Sequence, residues 1–389
     1  MTIKEKARIY FGDTVAQREA FHRNPELSDS IIHTKEQVAK KLSEWGIPYY
    51  ELPGGAVIGE IDSGKPGKTI ALRADMDALP IEEISDKPYC SQVKGAGHLC
   101  GHDCHTASLM TAARILNEEK AGFNGKVVLL FQAAEEAPGG CDAQQIIQSG
   151  AMDGVDAVFG VHMYNNIDAG TVSVQPGTRM AASLRGSIVV HGVGAHGGSP
   201  HLGVDAVLVG SAIVMNLQSI ASRELNIQDD AVITVGMFNA GTSPYAIAEE
   251  ATLKLCIKFF NASLSDTIKE SITRIAKNTA AAYRAECDVT IEGFLDPVVN
   301  DPELSLIATE SLRTLGGDEA IAVCPAWCAS EDFGKYEKKA PGIFAFVGGR
   351  NPEKGMIYTA HHPSFDVDEE SLYYASGIYA QFAFDYLRN

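Results

Sequence analysis

The chain is short of positive charge: 32 lysines and arginines stand against 50 aspartates and glutamates, a formal net charge of −18 over 389 residues. That balance excludes a nucleic-acid partner, because phosphate binding needs a basic face. No window approaches about 18 uninterrupted apolar residues, so no transmembrane segment and no membrane partner are expected. The opening Met1-Thr-Ile-Lys-Glu-Lys-Ala lacks the apolar core of a signal peptide and reads as the start of a charged amphipathic helix, which predicts a cytoplasmic protein. Internal repeats and low-complexity segments are absent too. The cysteines Cys90, Cys100, Cys104, Cys141, Cys256, Cys287, Cys324 and Cys328 have no regular spacing, unlike a disulfide-stapled secreted scaffold, and most are expected to be buried small hydrophobes. At 45% hydrophobic and 21% charged, the chain can bury a large core, in two domains.

What is present is concentrated between Gly97 and His105. The run Gly-His-Leu-Cys-Gly-His-Asp-Cys-His packs three histidines and two cysteines into eight positions. Read with Glu135-Glu136 downstream, it resembles a hydrolytic metal site. A divalent ion takes thiolate, neutral imidazole and carboxylate ligands, and hydrolysis needs a further carboxylate to accept a proton from water. Cys100, between glycine and histidine in a turn-like segment, is the cysteine expected to meet an ion. Cys104 is read either as packing at a helix N-terminus or as a support for the ligands.

Three apolar runs deliver candidate residues in the same way. Lys68 to Ala74 runs into Asp75-Met-Asp77, Lys126 to Ala134 into Glu135-Glu136, and Val155 to Val161 into His162. Each reads as a buried strand ending in a chemical group. A helix from Thr106 to Glu119 lies between the first two, with Leu109, Ala112, Ala113 and Leu116 on one stripe. Alternating strands and helices predict a doubly wound α/β catalytic domain whose ligands gather beyond the carboxyl ends of the strands. From 182 to 293 the rhythm becomes βαββαβ, the order of a ferredoxin-like α+β insert. The expected division is therefore 1–181 and 294–389 for the catalytic domain and 182–293 for a lid. Gly342 to Gly348 reads as another buried strand, and a polar loop carries His361-His362-Pro363.

The candidates Cys100, His102, Glu136, His162 and His361 come from four separate segments. Position at strand ends is what ties them together. Two adjacent carboxylates after a buried strand repel unless a cation neutralises them. A metal supplies that charge, with Glu136 as ligand and Glu135 turned toward water by the alternation of the strand. Asp75 and Asp77 are either a solvated turn or carboxylates that orient a ligating histidine through its distal ring N–H, with Asp77 preferred. His196 and His201, among the glycines of Gly192-Val-Gly-Ala-His-Gly-Gly-Ser-Pro-His, are either helix caps or donors to an oxyanion.

Seven stretches in order carry a resemblance over nearly the whole chain: Ala71-Leu-Arg-Ala-Asp-Met-Asp-Ala-Leu-Pro, Cys100-Gly-His-Asp-Cys-His-Thr-Ala, Gln132-Ala-Ala-Glu-Glu, Gly160-Val-His, Gly194-Ala-His-Gly-Gly-Ser-Pro-His, Ser330-Glu-Asp-Phe and His361-His-Pro-Ser-Phe. The sequence resembles the M20 metallopeptidase family, in its amidohydrolase branch of hippurate hydrolases, N-acetyl-diaminopimelate deacetylases and auxin-conjugate hydrolases. The resemblance implies a phosphorylase/hydrolase-like catalytic fold. It implies two divalent metal ions (zinc, manganese, nickel or cobalt) on Cys100, His102, Glu136, His162 and His361, with Glu135 as general base. It also implies a lid that dimerises in many relatives, giving a homodimer or higher oligomer, with His196 at the oxyanion.

Two positions depart from the branch. Ala240-Gly-Thr-Ser-Pro-Tyr245 has tyrosine where the branch carries a substrate-side asparagine, and Leu255-Cys-Ile-Lys258 has lysine where it carries arginine. Both are expected to face the carboxylate end of the substrate, where a point charge and a planar fork are not equivalent. The expected reaction is metal-assisted hydrolysis of the amide of an N-acyl amino acid or a peptide-like small molecule. The rivals are a dipeptidase or carboxypeptidase on the same scaffold, a covalent hydrolase using Cys100, and a catalytically silent metal-binding protein.

Overall fold

The computed structural model describes residues 1–28, 30–137 and 142–388, apart from the side chain of Phe294; Cys141 lies outside them. The chain divides into two units, Met1–Arg179 with Val299–Pro325 and Asp332–Asn389, and Met180–Val298 with Ala326–Glu331.

The first unit opens with helices α1 (Ile3–Ile9), α2 (Phe11–Arg23) and α3 (His33–Glu44) and strands β1 (Tyr49–Glu51), β2 (Val57–Asp62) and β3 (Thr69–Asp75). It continues through α4 (His102–Glu119), β4 (Lys126–Gln132), α5 (Ala143–Gln148), β5 (Ala157–Asp168), β6 (Val172–Ser173) and β7 (Gly177–Met180). The second unit holds β8 (Ala182–His191), β9 (Ala195–His196), α6 (Ala206–Ser219), β10 (Ala231–Ala240), β11 (Ala246–Ile247), β12 (Glu250–Phe259), α7 (Leu264–Ala282) and β13 (Glu286–Leu295). The chain then returns to the first sheet with β14 (Val298–Asn300), followed by α8 (Pro302–Gly316), α9 (Gly334–Glu337), β15 (Gly342–Arg350) and α10 (Glu370–Arg388).

Among the described residues the large sheet runs β1-β2-β4-β3-β5-β15-β14-β7, with β6 added beside β15. Its centre, β4, β3, β5 and β15, is parallel, and β3, β4 and β15 are buried almost throughout. Strands covered on both faces are mostly apolar along their length, which is why these segments read as near-continuous apolar runs rather than alternating ones. Arg73, Asp75 and Gln132 are the buried polar positions toward their carboxyl ends. From β3 the chain first steps to one side, to β4, and later to the other, to β5. This reversal opens a crevice outside the carboxyl ends of the strands.

The β5 strand is longer than the sequence suggests, and His162 lies inside it rather than after it. The cause is unequal pairing. β3 pairs with β5 only as far as Arg73 opposite Gly160, while β15 follows β5 past His162, which pairs with Phe346. His162 is thus two residues beyond the last β3 partner, at the crevice. Helix α4 begins at His102, four residues earlier than expected, because Gly101 has φ 90 and turns the chain directly into the helix. Arg18 of α2 holds that first turn from behind, its Nε 2.7 Å from Asp103 Oδ2 and its guanidinium 2.6 Å from Asp366 Oδ1.

In the second unit β8, β10, β12 and β13 form an antiparallel sheet in the order β10-β12-β8-β13. Numbered within the unit this is 2-3-1-4, the split βαβ arrangement of a ferredoxin-like fold. This unit starts at Met180 and reaches Val298, wider than 182–293, because β13 continues to Leu295. Ala326–Glu331 joins it, with Ala181 N donating to Ala329 O at 2.9 Å.

Ala206–Glu224, α6 with its following turn, is long and apolar enough to cross a membrane, although no unbroken apolar run announces it. Its inner stripe, Val209, Ile213, Leu217 and Ile220, is buried in the core of the second unit. Among the described cysteines most are buried, as expected: Cys100, Cys104, Cys287 and Cys324, with Cys90 intermediate and Cys256 and Cys328 exposed. Cys256 falls on the outward position of the alternating strand β12.

Candidate metal centre

Cys100 immediately precedes the Gly101 turn, and His102 is the first residue of α4. Glu135 and Glu136 follow β4, and His162 comes from β5. His361 lies on a loop tied to the Cys100 segment, its N–H donating to Leu99 O at 2.7 Å. Its φ of 70 is a left-handed conformation that costs a non-glycine residue about 1–3 kcal/mol and persists only where the surroundings impose it.

The ligand atoms of Cys100, His102 and His162 all lie within 4.8 Å of one another, and so do those of Cys100, Glu136 and His361. Cys100 Sγ is common to both groups. His162 Nε2 is 3.4 Å from that sulfur, and His361 Nε2 is 3.0 Å from Glu136 Oε1. Glu135 belongs to neither of these groups, though it stands with His102 and Glu136 in a third.

Of the two readings of Asp75 and Asp77 the solvated turn fails: both are buried and organise the cluster, Asp77 in the orienting position preferred for it. Asp77 Oδ1 lies 3.1 Å from His102 Nδ1, while its Oδ2 accepts from Ser28 Oγ at 2.6 Å, Glu135 N at 3.1 Å and Glu136 N at 2.9 Å. Asp75 is 2.6 Å from His105 Nδ1 and 2.7 Å from Arg73. Arg73 also reaches Gln132 at 2.9 Å and Asp332 at 2.9 Å. His105 Nε2 accepts from Met163 N at 2.9 Å, so both its ring nitrogens are engaged and it supports the site without ligating. His98 is buried with both ring nitrogens unpartnered and stands in none of the ligand groups; burial pushes its pKa down to about 4. Cys104 is buried packing, its thiol pushed up first by burial and then by Asp103.

The electrostatics follow from this geometry. Burial, then the Glu136 and Glu135 carboxylates, push the Cys100 thiol well above its usual range. Burial alone would lower His102, but Asp75, Asp77 and Glu136 raise it to about 10. Burial and the neighbouring His105 hold His162 well below the ordinary imidazole range. A divalent ion fits this donor set. His102 Nε2 is buried without a hydrogen-bond partner, 3.6 Å from Asp75 Oδ2, and its Nδ1 faces Asp77, so Nε2 is the nitrogen left to an ion that displaces its proton. His162 Nδ1 lies 2.8 Å from Met163 O, which leaves Nε2 as the nitrogen toward Cys100. Thiolate, imidazole and carboxylate together are a set for a transition-metal ion.

The other candidates are in the second unit. His196, in β9, is exposed and pairs with Ala246 of β11; its Nδ1 accepts from Gly198 N at 3.0 Å, so its ring hydrogen sits on Nε2. The capping alternative for His196 and His201 fails, because Asp205 is the cap of α6 and accepts from Val207 N. Tyr245 is 79% exposed, and Lys258 Nζ donates to Ser330 Oγ at 2.7 Å. Sequence reasoning assigned no role to Arg73, His105, Gln132, Asp142 and Asp332; His105 lies inside the metal-ligand run, and Arg73, Gln132 and Asp332 lie in stretches that carry the resemblance, whereas Asp142 lies in none.

Residues 71–385 match the profile of Peptidase family M20/M25/M40. The chain is 37% identical to thermostable carboxypeptidase 2 of Saccharolobus solfataricus, over 91% of this chain and 90% of that protein. It is 34% identical to the N-acetylcysteine deacetylase of Bacillus subtilis, over 95% of each. Among solved structures, the YXEP protein of Bacillus subtilis, described as a dinuclear metal-binding peptidase, superposes with a TM-score of 0.86 at 31% identity, over 98% of this chain and 99% of that one.

Proposed function

The chain belongs to peptidase family M20/M25/M40, and from that premise we propose that it cleaves the amide of small N-acyl amino acids. The reaction class is metal-dependent hydrolysis of a linear amide. The observation that carries it is the sharing of Cys100 Sγ by two ligand groups, with Glu135 beside them and in neither.

Cys100, His102 and His162 would hold one divalent ion, and Cys100, Glu136 and His361 a second. When bound, such ions supply Lewis acidity that polarises an acyl carbonyl and acidifies water to a pKa of about 7. Glu135 takes the proton of the attacking water and delivers it to the leaving nitrogen. Asp77 keeps the Glu135 backbone and the His102 ring in register with each other. His196, with its hydrogen on Nε2, has the tautomer needed to donate to an oxyanion. Zinc, manganese, nickel and cobalt are the candidate metals, since a thiolate with imidazole and carboxylate accepts all four.

A homodimer is part of the proposal. Leu208 and Met215 on α6 and Val232, Met237 and Phe238 on the edge strand β10 are exposed apolar side chains on a unit whose core is already complete. The carboxypeptidase name of the Saccharolobus relative favours one second reading, removal of a C-terminal residue from a peptide. Turnover of N-acetyl amino acids against free and N-blocked dipeptides, with and without a chelator, separates the two. Faster cleavage of dipeptides would overturn the acyl-amino-acid reading, and activity untouched by chelation would overturn metal dependence.

A further inference from the structure

Four successive backbone N–H groups at the end of β4 are bound by only two side chains. Ala133 N donates to Asp142 Oδ2 at 3.1 Å and Ala134 N to Asp142 Oδ1 at 3.1 Å; Glu135 N and Glu136 N both donate to Asp77 Oδ2, at 3.1 and 2.9 Å. Asp142 closes a ring on the same segment, its own N–H donating to Ala134 O at 2.9 Å. The two carboxylates come from different elements, Asp77 from beyond β3 and Asp142 from the residue that precedes α5.

We infer that Asp142 is a positioning residue for the hydrolysis, holding the strand end so that Glu135 and Glu136 leave it in a single direction. Ala133 and Ala134 are buried, so their N–H groups need acceptors, and a carboxylate is the side chain that offers one oxygen to each. The surroundings do not favour a charge there. Burial and the facing carboxylates Asp332 and Asp77 push Asp142 up to about 7 against the pull of the two amides. A neutral side chain would avoid that cost but could not accept from both amides, and asparagine would turn an NH2 group toward an N–H. Asp142's side-chain hydrogen bonds go to the backbone of Ala133 and Ala134, so its effect passes through that backbone.

This inference rests on Glu135 being the base. The test uses the metal-loaded enzyme and an N-acetyl amino acid, with Asp142→Asn, Asp142→Ser, Glu135→Gln and Glu135→Asp, and Asp142→Asn combined with Glu135→Asp. Asp142→Asn should lower kcat roughly 10- to 100-fold, the scale set by a small misplacement of a catalytic group, with KM and metal content within about twofold. Asp142→Ser, which offers an acceptor without turning an NH2 group toward an N–H, should lose less and serves if the asparagine variant does not fold. In the Glu135→Asp background, where the base has already moved, Asp142→Asn should cost much less. Unchanged kcat per metal-loaded enzyme in the Asp142 variants would overturn the inference, as would an equal loss in both backgrounds. An active Glu135→Gln enzyme would instead remove the base assignment itself.

Discussion

Asp77 binds His102 and the Glu135-Glu136 backbone with the two oxygens of one carboxylate, Oδ1 at 3.1 Å from His102 Nδ1 and Oδ2 at 2.9 Å from Glu136 N. One buried side chain therefore sets the ring of a candidate ligand and the start of the segment that carries the candidate base. Replacing it by asparagine keeps the shape and removes an acceptor. Asp77→Asn should weaken metal binding about 10- to 100-fold, read by competition with a chelator, and should lower kcat as well. Unchanged metal affinity would show that His102 is oriented by other contacts.

Glu135→Gln removes a base and no ligand. Turnover should fall about 100-fold or more, with metal content near that of the unaltered protein by elemental analysis. Loss of metal in parallel with activity would move Glu135 into the ligand set.

His196→Ala should lower kcat by roughly 10² to 10³-fold while changing KM little, since an oxyanion donor acts in the transition state. A change confined to KM would make the residue a ground-state contact.

Lys258 donates to Ser330 Oγ at 2.7 Å, and Tyr245 is exposed in the same unit. Tyr245→Asn combined with Lys258→Arg should shift kcat/KM among N-acyl amino acids by about tenfold, because a guanidinium binds a carboxylate in two places and an ammonium does not. Metal content should not change. An unaltered substrate profile would show that these positions do not read the substrate.

Glu337 is half-buried, with Oε2 accepting from Val299 N at 2.7 Å and Oε1 enclosed without a hydrogen-bond partner. Burial, against that backbone N–H, raises its pKa from 4.5 to about 8. The folded chain therefore binds a proton that the unfolded chain has released between pH 4.5 and about 8, so this group's contribution to stability falls as pH rises through that window. The Tm of Glu337→Gln minus that of the unaltered protein should climb from pH 5 to pH 8. A flat difference would mean that Glu337 is ionised at neutral pH in the folded chain.

Local pattern was enough for the elements and the chemistry. Near-continuous apolar runs announced β3, β4 and β15, because a strand covered on both faces does not alternate between apolar and polar positions. The βαββαβ rhythm announced the second unit, and Cys100, His102 and the Glu135-Glu136 pair announced a metal-ligating chemistry, since their residue types suit little else at that density. The rest depended on distances between segments far apart in the chain. His162 reaches the crevice because β3 stops pairing with β5 at Gly160, and pairing length is a property of the sheet. Asp75 and Asp77 could be read from sequence either as a solvated turn or as carboxylates orienting a histidine. They are buried because Arg73, His105 and His102 surround them, and burial turns a surface carboxylate into an organising one. Asp142 carried no sequence signal at all. An aspartate before a short helix is commonplace, and only folding places its two oxygens against the amides of Ala133 and Ala134. The kinds of ligand follow from residue chemistry, which is local; the orientation of each ligand follows from hydrogen bonds across the sheet, which tertiary structure alone decides.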